Sequence, residues 1–173
     1  IFSWTKTWAN VTKSQNFLTN FLQGLYAETD NQSYLDLSLS NMMDEPLWVG
    51  MMFTSATKRE MAKFKPIAER ALPNVRVVVV NGDETTNRQA QYEVKRAIAE
   101  AQNANQSGVL IVSRAMGSRS FSVSEVQASI LGYDRGGVDP TIQKSARCLT
   151  PGPKWDGNNK EFGYIVSCSI DPN

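Results

Sequence analysis

Apolar positions along this chain follow two periods. Residues 47–53 (Leu-Trp-Val-Gly-Met-Met-Phe) form an unbroken apolar run, the mark of a strand buried on both faces of a parallel sheet. Residues 75–80, 108–113, 126–133 and 162–170 predict four further strands. Between them the period lengthens. Met61, Phe64, Ala68 and Ala71 recur at helical spacing after the N-capping run Thr54-Ser55-Ala56-Thr57. Pro66 is expected to kink or split that helix. Ala90, Val94, Ala97, Ile98 and Ala101 mark a second helix, opened by Thr86-x-x-Gln89 and running to about Asn103. Strands alternating with helices predict βαβ units and a mainly parallel sheet.

The first 45 residues are more polar and weakly patterned. Phe17, Leu18, Phe21, Leu22 and Leu25 predict a helix near 13–27. Leu35, Leu37 and Leu39 alternate with Asp36, Ser38 and Ser40, a strand or a helix end. Phe2, Trp4 and Trp8 are assigned to packing or a lid rather than to a platform for stacked bases. Two segments follow: an N-terminal helical extension, linker or insertion over 1–45, and an α/β domain over 46–173.

Composition removes several classes of chemistry. The chain has 173 residues and no histidine, so His-based triads, histidine general bases and most zinc sites are excluded. Net charge is +1, so any nucleic-acid surface must be local. Cys148 and Cys168 are too few for a disulfide framework, which favours a reducing, intracellular setting. No apolar run approaches the ~20 residues of a membrane span. Ile1 is not an initiator methionine, so the chain is expected to be a piece of a larger protein. No G-x-x-x-x-G-K-[ST] occurs, so no phosphate loop is present. The Gly132–137 stretch has the wrong spacing for a dinucleotide site, and its Gly136 and Gly137 read as a tight turn.

In open α/β sheets, ligands gather beyond the carboxyl ends of the strands. The segments in that position are residues 54–57, 81–83, 114–123 and 134–138. The first offers hydroxyls and free N–H groups at a helix start, a phosphate site or plain N-caps. The third packs Ser118, Arg119, Ser120 and Ser122 beside Arg114 and Phe121 in one loop. Residues 139–152 predict a short helix capped by Asp139 and Pro140 and stopped by Pro151-Gly152. Ile142, Ala146 and Leu149 give it an expected buried stripe. Gln143, Arg147 and Thr150 lie on the adjacent face, where a glutamine and an arginine one turn apart can reach one anionic ligand.

Gln143-x-x-Ala146-Arg147 resembles the last signature motif of superfamily 2 helicases, commonly QxxGRxxR. Ala146 replaces the usual glycine, and Thr150 stands where the second arginine would be. Read in order, Phe53-Thr54-Ser55, Asn81-Gly82-Asp83, the strand ending at Ser113, the 118–123 loop and Thr141 to Arg147 resemble the second, C-terminal RecA-like domain of that superfamily. The pattern is closest to phage-type DNA helicases and covers roughly 47–170. The 118–123 loop lacks the acidic residue often found in the family's fifth motif. The resemblance implies a RecA-like three-layer α/β sandwich. It implies a motor that couples ATP hydrolysis to movement on nucleic acid, with DNA as the expected track. ATP and Mg would be held mainly by an N-terminal RecA-like domain of the same protein, absent from this chain. Arg147 would act as an arginine finger and Gln143 would position nucleotide or water. Thr54, Ser55, Thr57, Ser118, Arg119, Ser120 and Ser122 would contact the nucleic-acid backbone. The isolated chain is expected to be inactive, and its setting cytoplasmic, in the host cytoplasm if phage-encoded, with no membrane partner. The alternative is a non-catalytic interaction module on the same scaffold. A small-molecule α/β enzyme is disfavoured by the lack of histidine, phosphate loop and nucleophile elbow.

Overall fold

A computed structural model describes residues 2–26, 46–82, 84–114, 123–134 and 138–167, the last range without the side chains of 138–140. Five strands run in chain order: β1 (Val49–Thr54), β2 (Val75–Asn81), β3 (Gly108–Arg114), β4 (Ala128–Gly132) and β5 (Tyr164–Ser167). They form one sheet in the order β2-β3-β1-β4-β5, and every pairing is parallel. The central strands β1 and β4 are buried along their whole length, which accounts for the unbroken apolar run of β1. The expected fifth strand is seen over its 164–167 portion. Residues 35–39, 83, 136, 137 and Cys168, which carried expectations above, lie outside the described residues.

Helices cover both faces. α1 (Trp4–Ala9) and α2 (Gln15–Tyr26) precede the sheet. α3 (Lys58–Ala71) joins β1 to β2, α4 (Asn87–Asn103) joins β2 to β3, and α5 (Val138–Ser145) follows β4. The β1-to-β2 step travels one way across the sheet and the β2-to-β3 step travels back. One crossover handedness therefore puts α3 and α4 on opposite faces. This is the three-layer α/β sandwich expected of a RecA-like domain.

The α3 crossover alone would leave much of its face bare. α1 and α2 fill the gap. Trp4, Trp8, Val11, Leu18, Phe21, Leu22 and Leu25 join Met52, Phe64, Leu110, Val112 and Ile130 in one core. Residues 2–26 are thus part of the sandwich rather than an appendage to it. Trp4 and Trp8 stack at 5.5 Å, and Trp8 meets Phe64 edge-on at 5.2 Å, so these aromatics pack, as expected. The Tyr26 ring lies against Gly108, where an added Cβ would come within 2.9 Å of it. Its hydroxyl donates to the Val109 carbonyl at 2.6 Å. The other core, on the α4 face, holds Trp48, Val49, Met51, Phe53, Val94, Ile98, Ile111 and Cys148.

Pro66 does not split α3, which runs unbroken from Lys58 to Ala71. Pro66 and Ala62 are both exposed. The carbonyl that the missing proline N–H would have satisfied therefore lies on the water side of the helix.

Candidate functional site

The connection leaving β1 heads toward β2, and the one leaving β4 heads toward β5. The chain thus changes direction between two adjacent parallel strands, the position where open α/β sheets place ligands. Three side chains from different elements meet there. Phe53 comes from the end of β1, Tyr133 follows β4, and Lys144 comes from α5. The Lys144 ammonium sits over the Tyr133 ring at 4.4 Å and over the Phe53 ring at 6.0 Å. Tyr133 lies 3.5 Å, hydroxyl to hydroxyl, from Thr141 on the same helix.

α5 begins at Val138, which puts Asp139 and Pro140 in its first turn. It ends at Ser145, and a 3-10 turn continues over Ala146–Leu149. Gln143 and Arg147 therefore do not share one α-helix. The expected buried stripe is also overturned: Ile142 and Leu149 are each 60% exposed, and Ala146 is exposed. Tighter 3-10 winding rotates the last four residues relative to the α-helical projection. Cys148 becomes the buried member, its thiol 3.1 Å from the Ser145 carbonyl. Lys160 clamps this turn, its ammonium donating to the carbonyls of Val126 at 2.7 Å and Cys148 at 3.3 Å. Gly163 lets β5 approach, since a Cβ there would fall 2.5 Å from the Cys148 carbonyl oxygen.

Gln143 is exposed and Arg147 is half-buried. Burial lowers the pKa of Arg147 and also that of Lys144. Among the described residues, neither cation has a carboxylate within ion-pair distance. Lys58, Lys63 and Lys65, by contrast, each pair with a glutamate. Two partly desolvated positive charges without counter-ions suit a ligand that brings negative charge.

The β1–α3 segment divides. Thr54 is 3% exposed; its hydroxyl accepts from the Ala56 amide at 3.4 Å and lies 3.9 Å from the Met61 sulfur. That hydroxyl serves the fold. Ser55 and Thr57 are exposed, and Thr57 caps α3 by accepting from the Glu60 amide at 3.3 Å. Arg114, placed by the sequence in the loop after β3, ties strand ends together. It donates to the Ala56 carbonyl at 2.8 Å and to Asn81 at 3.3 Å. Ser118, Arg119, Ser120 and Ser122 lie outside the described residues.

Two features escaped the sequence. One is the aromatic seat of Lys144, since nothing in the spacing turns that residue inward. The other is Asp134, which the sequence places only at the head of the segment leaving a strand at 134–138. Its carboxylate accepts from the Ser3 hydroxyl at 2.7 Å and from the amides of Trp4 and Thr5 at 2.8 and 2.7 Å. Desolvation pushes its pKa up, but these donors outweigh it and hold it at about 2. The Trp8 indole donates to the Gly132 carbonyl at 2.6 Å. α1 is thereby fixed to the segment that leads from β4 toward α5.

Among the described residues, no His, Cys, Asp and Glu cluster could hold a metal ion, and no helix is long and apolar enough to cross a membrane. No family model matches the chain, and no curated protein matches it. Among solved structures it is similar to the Mss116p DEAD-box helicase domain 2 bound to an RNA duplex. Identity is 15% and the TM-score 0.48, over 88% of this chain and 49% of that one. The chain thus spans about half the length of that structure's chain.

Proposed function

We propose that this chain is the second motor domain of an ATP-dependent nucleic-acid helicase or translocase. Arg147 reaches across an interdomain cleft to the phosphates of ATP, held with Mg by an N-terminal RecA-like domain of the same protein. Gln143 sits at the cleft and positions nucleotide or water. Ser55 and Thr57, with Ser118, Arg119, Ser120 and Ser122, contact the nucleic-acid backbone. Thr54 supports the turn beneath them. The signature-motif order is nearest to the phage-type enzymes, with DNA as the track and the cytoplasm as the setting.

One observation carries the reading: Arg147 is half-buried on the turn after α5, with no acidic partner among the described residues. A partly desolvated guanidinium fork with no carboxylate partner among the described residues suits a phosphate in transfer. The test is steady-state ATPase kinetics on the full-length protein carrying Arg147→Lys. Lysine keeps the charge and loses the fork. Turnover should fall by on the order of 10³ or more, with nucleotide affinity and melting temperature nearly unchanged. Near-normal turnover, or failure through unfolding alone, would make Arg147 structural and bring the interaction-module reading forward.

A further inference from the structure

We infer that Lys144 is a second phosphate-binding cation, taking the oxygens of a nucleoside polyphosphate at the crevice between the ends of β1 and β4. The inference rests on the proposed ATP-site reading of α5 and extends it to a residue that the signature motif leaves unassigned.

Lys144 is half-buried, and a desolvated ammonium is normally neutralised by a carboxylate. Among the described residues none is within ion-pair distance of it. The aromatic faces of Tyr133 and Phe53 hold it instead. A ring quadrupole attracts a cation without cancelling its charge. The arrangement therefore fixes the ammonium in place and leaves its full charge for a ligand. The two rings come from strands on either side of the reversal in chain direction. Arg147 follows three residues later and is desolvated in the same way.

The probe is sodium tripolyphosphate, titrated into the 173-residue chain at low ionic strength and followed by NMR of lysine side chains, with sodium chloride as the ionic-strength control. Lys144→Arg assigns the Lys144 signal by its disappearance. The Lys144 signal should move and its pKa should rise, because a bound anion favours the charged form. Lys144→Met keeps the apolar stem on the rings and removes the charge. It should weaken tripolyphosphate binding about tenfold or more, the usual worth of a hydrogen bond to a charged group. Its melting temperature should change little. An unmoved Lys144 signal in the wild-type chain, or equal binding by Lys144→Met, overturns the inference. If Lys144→Met does not fold, the wild-type side-chain titration decides alone. The two readings fail separately. Tripolyphosphate binding through Lys144 with no ATPase loss in Arg147→Lys leaves the anion site standing and makes Arg147 structural. The reverse leaves a motor in which Lys144 only packs.

Discussion

Asp134 shows how much one side chain can organise. A single carboxylate receives three donors from the first turn of a helix about 130 residues away in sequence. Its pKa falls from 3.8 to about 2, so the folded state holds the proton more weakly than the unfolded state. The stabilisation is complete above the unfolded value and is lost as pH falls through the folded one. After allowance for screening at a partly exposed site, it is worth about 1 kcal/mol. Asp134→Ala should lower stability by about that much at pH 7, in line with a lost helix cap. The gap between variant and wild type should close between about pH 4 and pH 2. Denaturant melts at stepped pH values measure this, and a gap that stays constant down to pH 2 would remove the carboxylate from the account.

At the scale of elements, α3 offers a direct measurement. Pro66 lies inside a continuous helix and costs it one hydrogen bond. Pro66→Ala should stabilise the chain by about 1–3 kcal/mol, since proline in a helix interior is worth about 3 kcal/mol less than alanine. A thermal melt that does not rise would mean the helix is already adjusted to its ring. Most elements were legible beforehand because burial follows period. The strands starting near Val49, Val75 and Gly108 and the inner faces of α3 and α4 all appear. Where the reading failed, a local rule was overridden. The Ile142–Leu149 stripe presumed one helical pitch, and a 3-10 turn changed it. Pro66 was expected to kink or split its helix, but the helix runs on without a break because the proline and the Ala62 carbonyl both lie on its water side. Arg147 and Gln143 were legible as a motif. The seat of Lys144 was not, because it depends on two rings that only the sheet brings together.

Across the whole molecule, the least legible feature was the role of residues 2–26. Their pattern is a generic amphipathic helix preceded by aromatics, and nothing local names the sheet face they cover. Seven of their side chains enter the core beneath α3, each contributing about 1.5–3 kcal/mol of burial. A chain starting at residue 46 should therefore lack a cooperative melt and associate through the uncovered face. Circular dichroism and size-exclusion chromatography test this. A monomeric, cooperatively melting fragment would show that α1 and α2 only decorate the sheet. The docking of α1 also has a consequence for the order of events during synthesis. α1 precedes every strand of this sheet in the chain, yet its hydrogen-bond partners Gly132 and Asp134 lie at the end of β4 and just beyond it. Until those residues leave the ribosome, the two tryptophans have no finished surface to bury against. Contacts spanning that much sequence form slowly, and aromatic surface exposed meanwhile invites association. A nascent chain therefore holds the tryptophans of α1 in waiting until β4 has been made, a natural client for a chaperone at the exit tunnel.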